Sequence, residues 1–167
     1  MSRSTRKVGL LVMVVALAAV GVYWFTRDKI PRDAARALEE AEQYELYSIL
    51  PRQEPAESRP EFHYYPVLGK TSITDRAARE RLTETLKTGS KSGDPKACFE
   101  PRHGIRVRKG ERVTDFVICF ECNQVQIWTN DQRSGGFVIG SSPQPVFDEI
   151  LKAASIPLAP SALESNK

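Results

Sequence analysis

The pattern of apolar and polar positions divides the chain into an uninterrupted apolar run and a longer patterned region. The run, VGLLVMVVALAAVGVYWF, covers residues 8–25 and has 18 residues without a charge. As a helix it would be about 27 Å long, close to the roughly 30 Å hydrocarbon core of a bilayer. The run therefore predicts a transmembrane anchor. Ala16 and Ala18 offer the alternative of a cleaved signal peptide.

After this run the pattern indicates a helix, a linker and a compact domain. IPRDAARALEEAEQYELYSIL carries a thin apolar stripe at helical spacing, which predicts a helix over residues 31–49, either as a stalk or packed on the domain. The prolines and charges of residues 50–61 predict a linker. The compact domain is predicted over residues 62–158, and residues 159–167 are predicted to be a disordered tail.

Within the domain, alternating apolar residues predict strands and amphipathic stretches predict helices. The predicted strands are FHYYPVLG, GIRV, RVTDFVICF, VQIWT and GFVIGS, with turns at Lys109-Gly110 and Asn130-Asp131. The predicted helices are SITDRAARERLTETLKTG and SSPQPVFDEILKAASIP. This order predicts an α+β fold, in which helices pack on one face of an antiparallel meander sheet of four to five strands, preceded by the transmembrane helix.

The distribution of charge favours one topology and disfavours nucleic-acid binding. The formal net charge is +3, from 24 basic and 21 acidic residues. Arg3, Arg6 and Lys7 lie in the basic flank 1–7, which leaves 21 residues of each sign beyond it. A domain without net charge lacks the electrostatic attraction that nucleic-acid binding requires. The basic flank predicts a cytoplasmic N-terminus and a domain outside the cytoplasmic membrane.

All three cysteines lie close together in the chain, with one histidine among them. The spacing is Cys98-x4-His103-x15-Cys119-x2-Cys122, a permitted ligand set for structural zinc. The extracytoplasmic location equally favours a disulfide among the three cysteines. Buried inert thiols are a third interpretation. A redox dithiol is disfavoured because the CxxC ends a predicted strand, and attached haem is excluded because Asn123 follows the motif.

Other chemically interesting residues have simpler explanations in the sequence. Arg102, Arg106 and Arg108 alternate and so share a strand face, which favours a solvated face over an anion site. Asp115 lies in an apolar strand, which predicts a structural ion pair with an arginine across the hairpin, with a functional site as the alternative. His63 favours structural packing, with a distant metal ligand as the alternative. The sequence contains no phosphate loop, HExxH or Ser-His-Asp order.

The segments CFEPRHGIRV, DFVICFEC and SSPQPVFDEIL resemble a family of small bacterial proteins found mainly in planctomycetes. The resemblance covers most of the chain from about residue 33, including ALEEAEQYEL and VLGKTSITD. It implies a bacterial envelope setting and a shared α+β domain, and it implies no activity, ligand or catalytic residue. The prediction is a membrane-anchored extracytoplasmic binding or interaction module, with another envelope protein as partner. The alternative is an envelope thiol–disulfide or metal-handling protein that uses Cys119 and Cys122.

Overall fold

The computed structural model describes residues 30–51, 59–91 and 93–160. The predicted anchor at 8–25, its basic flank, most of the predicted linker and the end of the predicted tail lie outside these residues. No helix in the described ranges is long and apolar enough to cross a membrane. The elements of the described ranges are α1 (Arg32–Glu39), β1 (Gln43–Ile49), β2 (Glu61–Phe62), β3 (Tyr65–Ser72), α2 (Arg76–Gly89), β4 (His103–Lys109), β5 (Arg112–Cys119), β6 (Gln124–Thr129), β7 (Gln132–Val138) and α3 (Gln144–Ala153).

The strands form one antiparallel sheet in the order β2-β3-β1-β4-β5-β6-β7. The α+β class and the antiparallel sheet predicted from the sequence are confirmed. The described part of the chain contributes seven strands rather than four to five. The two additional strands are β1, which was predicted to be helical, and β2, which the prediction merged with β3.

The largest correction concerns the predicted helix over residues 31–49. The helix α1 ends early, and the chain then enters β1, which lies between β3 and β4 in the sheet. Tyr44 and Leu46 of β1 are buried on one face, and Tyr47 is buried on the other. This central strand is buried on both faces, so the polar–apolar alternation of residues 43–46 breaks at Tyr47 and is too short to indicate a strand by itself.

All three helices of the described ranges pack on the same face of the sheet, which we call the helix face. This arrangement confirms the predicted placement of helices on one face. Helix α2 begins after Asp75, whose side chain accepts a hydrogen bond from the Ala78 amide at 2.7 Å. The apolar core on the helix face includes Leu38, Leu46, Leu82, Leu86, Ile105, Phe116, Ile118, Phe147 and Leu151.

The opposite face of the sheet, which we call the hairpin face, is partly covered by the β2–β3 hairpin. A bulge at Ser48/Ile49 interrupts the β1–β3 register where the hairpin departs from the sheet. The Phe62 ring stacks on Tyr47 with 4.4 Å between the ring centroids. Phe62 also lies directly over Gly104, where an added Cβ would be 2.5 Å from its Cε1 atom. Glycine at this position therefore lets the hairpin approach the sheet.

Candidate functional site

The three cysteines lie at one end of the sheet, and two of them form a disulfide. Cys98 and Cys122 are bonded to each other, with their Cα atoms 5.6 Å apart. Cys119 is a buried free cysteine. Its thiol donates to the Glu100 carbonyl at 3.2 Å and accepts from the Cys122 amide at 3.2 Å. Burial raises the pKa of the Cys119 thiol, so this sulfur remains protonated at neutral pH.

His103, the fourth predicted zinc ligand, points away from the cysteine sulfurs. The β4–β5 turn is one residue later than predicted, so His103 pairs with Ile118 and shares its position on the helix face. Cys119 follows Ile118 and therefore lies on the hairpin face. The His103 Nε2 atom is 2.8 Å from Oδ1 of Asp148. Within the described residues the four predicted ligands are not gathered around one point, and zinc binding by them stays a prediction.

A buried carboxylate at the centre of the hairpin face organises a second cluster. Asp115 accepts two hydrogen bonds from the Arg106 guanidinium, from Nε at 2.8 Å and from the terminal nitrogen at 2.6 Å. The Nε2 atom of His63 lies 2.6 Å from the same carboxylate. Burial by itself raises the pKa of the Asp115 carboxyl, but the hydrogen bonds from Arg106 and His63 outweigh it and hold this pKa below its ordinary value.

The pairing of Arg106 with Asp115 is the ion pair that the sequence predicted across the hairpin. Each partner stabilises the charged form of the other, because the Asp115 hydrogen bond also raises the pKa of Arg106. The predicted arginine face is confirmed for Arg106 and Arg108, which occupy alternate positions of β4. Arg102 precedes β4 and lies in a different environment, buried and 2.9 Å from a carboxylate oxygen of Glu121.

The hairpin turn above this carboxylate is strained. Phe62 pairs with Tyr65, so His63 and Tyr64 form a two-residue turn, with φ values of +50° and +73°. Such turns favour glycine and asparagine. A side chain in this region costs on the order of 1–2 kcal/mol per residue. The His63 ring stacks on Trp128 with 4.5 Å between centroids, so stacking and the carboxylate contact together hold the strained turn in place.

The turn presents an aromatic side chain to solvent. Tyr64 is 58% exposed and is the only large apolar side chain exposed in the described ranges. Its ring lies edge-on to Trp128, with 6.3 Å between centroids. The Trp128 Nε1 atom is buried without a hydrogen-bond partner among the described residues. The exposed ring of the turn therefore lies beside a residue of β6 whose buried donor has no partner among the described residues.

A second acidic residue, Asp131, approaches this cluster from the β6–β7 turn. A carboxylate oxygen of Asp131 and one ligand atom each of His63 and Asp115 lie within 4.8 Å of one another. These are metal-ligand types, but both oxygens of Asp115 already accept from Arg106. The positive charge of the Arg106 guanidinium, which is bonded to both oxygens, disfavours a second cation there. The geometry is that of an ion-pair cluster that supports the turn. In the sequence, Asp131 is marked only by its place in the predicted Asn130-Asp131 turn.

A comparison of the chain with protein-family models, curated proteins and solved structures gave no match. Function therefore has to be inferred from the geometry of the chain itself. The hairpin face combines a buried carboxylate, a guanidinium and a stacked imidazole that contact one another.

Proposed function

We propose that the protein is a membrane-anchored extracytoplasmic interaction module of the planctomycete-type family that it resembles. In this proposal it contacts another envelope protein through the His63–Tyr64 turn. The observation that carries the proposal is an exposed tyrosine on a strained turn that the Asp115 cluster holds in place. Backbone strain persists where the surrounding structure over-determines it, and such positions cluster at ligand-contacting sites.

The surroundings of Tyr64 have the composition of a binding hot spot. Tyrosine, tryptophan and arginine dominate the energetics of protein interfaces, within a ring of polar residues. Here Trp128 supports the Tyr64 ring, and Trp128 pairs across the sheet with Arg133. A locked turn loses little conformational entropy on binding. The expected partner surface is a pocket that accepts a phenol ring and has a polar rim.

The cellular location is part of the same proposal. Residues 8–25 would anchor the chain in the cytoplasmic membrane, with the folded domain on the extracytoplasmic side. The Cys98–Cys122 disulfide supports this location, because disulfides persist in oxidising compartments. A reporter enzyme that is active only outside the cytoplasm, fused after residue 160, is expected to be active. Deletion of residues 8–25 is expected to abolish that activity, and unchanged activity would contradict the proposed anchor.

Site-specific photo-crosslinking in the native host tests the interaction surface. A photoreactive phenylalanine analogue at Tyr64 is expected to give one adduct of defined mass in the envelope fraction. The same analogue at Arg76, which is exposed at the start of α2, is the matched control. Equal adducts at both positions, or no adduct at position 64, would contradict the proposed surface.

Glycine at position 64 separates a binding role from a structural one. Tyr64→Gly removes the ring but suits the positive φ of +73°. The variant is expected to fold and to lose the partner adduct when the photoreactive analogue is placed at Glu61, an exposed residue of β2 in the same hairpin. Retention of that adduct in the Tyr64→Gly variant would mean that the ring does not carry binding.

The thiol-based alternative rests on the proximity of Cys119 to the disulfide. The Cys119 sulfur accepts a hydrogen bond from the Cys122 amide at 3.2 Å, so a CxxC thiol does lie beside a disulfide cysteine. Catalytic cysteines have a depressed pKa, whereas burial raises the pKa of Cys119. A structural role is therefore preferred. A reduction potential above about −270 mV for the disulfide would favour the thiol-based alternative instead.

A further inference from the structure

A cavity of about 650 Å³ lies on the helix side of the sheet, between α1 and α2. Its volume falls within the usual range for small-molecule sites. One wall is formed by the end of α1 and the turn that follows it, where Leu38 and Ala41 provide an apolar surface. The other wall is formed by one side of α2 and contains Arg79 and Thr83. The cavity and the His63–Tyr64 turn therefore lie on opposite faces of the sheet.

The charged side chains around the opening of the cavity pair with one another. Five of the six charged residues that line the cavity belong to this group. Their contacts are Arg76 with Glu80 at 2.7 Å, Lys87 with Glu39 at 2.6 Å and Lys87 with Glu84 at 3.9 Å. These side chains are between 34% and 91% exposed, so solvent screens their charges. Since the six charged residues together have no net charge, the inner end of the cavity decides which ligand fits.

The sixth charged residue, Arg79, is held in place by main-chain groups. Its Nε atom donates to the Ile73 carbonyl at 2.5 Å, and a terminal nitrogen donates to the Ala41 carbonyl at 3.3 Å. Among the described residues no carboxylate pairs with this guanidinium, whose other N–H groups remain available as donors. A guanidinium that is fixed before binding loses little freedom when it accepts a ligand. Its planar set of donors suits a carboxylate.

A buried hydroxyl beside Arg79 also lacks an acceptor. Tyr44 is 1% exposed, and its hydroxyl makes no hydrogen bond within the described residues. Burial raises the pKa of this hydroxyl, whereas Thr83 and Arg79 lower it in part, which places both residues close to it. The Thr83 hydroxyl lies near that of Tyr44 without meeting it in hydrogen-bond geometry. Buried polar groups are seldom left unpaired, so this hydroxyl independently indicates that the inner end of the cavity receives an acceptor.

We propose that this cavity binds the carboxylate of a small organic acid. The carboxylate accepts hydrogen bonds from the available N–H groups of Arg79 and from the Thr83 hydroxyl, which are neighbours because the two residues are four positions apart in α2. The Tyr44 hydroxyl donates to that of Thr83 and so gains its missing partner. The alkyl part of the acid contacts Leu38 and Ala41. Binding here does not depend on the proposed interaction function.

Nuclear magnetic resonance titration of the full chain in detergent micelles at pH 7 tests the proposal. The probe is sodium butyrate, with butyramide as a neutral control of the same shape and n-butylammonium as a control of opposite charge. Saturable shifts of the Leu38 and Thr83 amides are expected with butyrate, with a Kd on the order of 1–10 mM for so small a ligand. The absence of saturable shifts up to about 50 mM, or equal binding of either control, would overturn the proposal.

Two threonines of α2 provide a matched pair of variants. Thr83→Val keeps the shape of the side chain but removes the hydroxyl, and it is expected to weaken butyrate binding about tenfold. Thr88→Val changes an exposed threonine whose hydroxyl donates to the Glu84 carbonyl of its own helix at 2.9 Å. This control is expected to leave the Kd within about twofold. Equal effects of the two variants would overturn the assignment of the site.

Phenylalanine at position 44 separates a binding role of the hydroxyl from a structural one. Tyr44→Phe removes a donor that has no partner among the described residues. Without butyrate the variant should therefore keep or raise the urea midpoint. It is also expected to weaken butyrate binding about threefold, because the Thr83 hydroxyl loses the group that donates to it. A lower urea midpoint together with an unchanged Kd would show that the hydroxyl is structural and would overturn the proposal.

Discussion

Replacement of the buried carboxylate of the hairpin face should destabilise the protein more than any surface charge change. In the Asp115→Asn variant an amide group takes the place of an oxygen that accepts from Arg106 and His63. Removing one partner of a buried ion pair costs about 3–5 kcal/mol. The Arg106 side chain is 31% exposed and can regain some water, and asparagine keeps one acceptor. We therefore expect a loss of about 2–3 kcal/mol in the free energy of unfolding.

Urea denaturation followed by tryptophan fluorescence measures this loss, because Trp128 stacks on His63 in the folded state. With a slope of about 2 kcal/mol per molar urea, the midpoint should fall by about 1–1.5 M. Glu149→Gln is the control and should leave the midpoint unchanged, because its ion pair with Arg81 is exposed. A fall of less than about 0.3 M in the Asp115→Asn variant would refute the stabilising role of the cluster.

The difference in stability between these two proteins should depend on pH, and the sign of this dependence follows from the pKa of Asp115. The folded-state pKa lies below the unfolded value, so the stabilisation is complete above the unfolded pKa of about 3.9. It is lost as the pH falls through the folded-state pKa. The stability difference between the natural protein and Asp115→Asn should therefore persist down to about pH 5 and shrink below about pH 4. A difference that grows below pH 4 would contradict an ionised carboxylate.

Three further predictions concern the thiols, the hairpin contact and the strained turn. Thiol counting should find no reactive thiol in the folded protein. After denaturation without reductant it should find one thiol, that of Cys119. Thiols that appear only after a chelator is added would favour the zinc hypothesis. Gly104→Ala should lower the free energy of unfolding by about 1–3 kcal/mol, because its Cβ would be 2.5 Å from Phe62. Gly135→Ala is the control: its Cβ would meet nothing within 4 Å, so the urea midpoint should not change. Tyr64→Gly should keep or raise the urea midpoint because it relieves the positive φ; a clear fall would show that the ring stabilises the fold.

Most of the elements that could be predicted from local pattern have one polar side. The strands β4 and β6 and the helices α2 and α3 each combine a buried face with a more polar one. Strand β5 is buried on both faces and was predicted from its apolar run between two turns. Prediction failed at β1, because Ala41 and Leu46 extend the apolar spacing of the preceding helix and the alternation of residues 43–46 breaks at Tyr47. The β4–β5 turn was displaced by one residue because both candidate turns contain Gly110, whose φ is +54°.

In the sequence, the residues of the candidate site could be recognised one by one but not as a cluster. The cross-hairpin pair of Arg106 with Asp115 was predictable because the two residues belong to adjacent strands joined by a short turn. The contribution of His63 was not predictable, because His63 and Asp115 are 52 positions apart in the chain. The aromatic turn has no local signal either, since its histidine and tyrosine replace the glycine and asparagine that usually mark such turns.

The sequence by itself determined the α+β class, the helices on one face and the proximity of the three cysteines, because each depends on periodicity or on short separation along the chain. Tertiary structure alone decided that Cys98 pairs with Cys122, that His103 faces Asp148 and that Asp115 holds the turn of a distant hairpin. These contacts join residues that are 24, 45 and 52 positions apart in the chain. Packing between distant segments brings such residues together, and local pattern does not encode it.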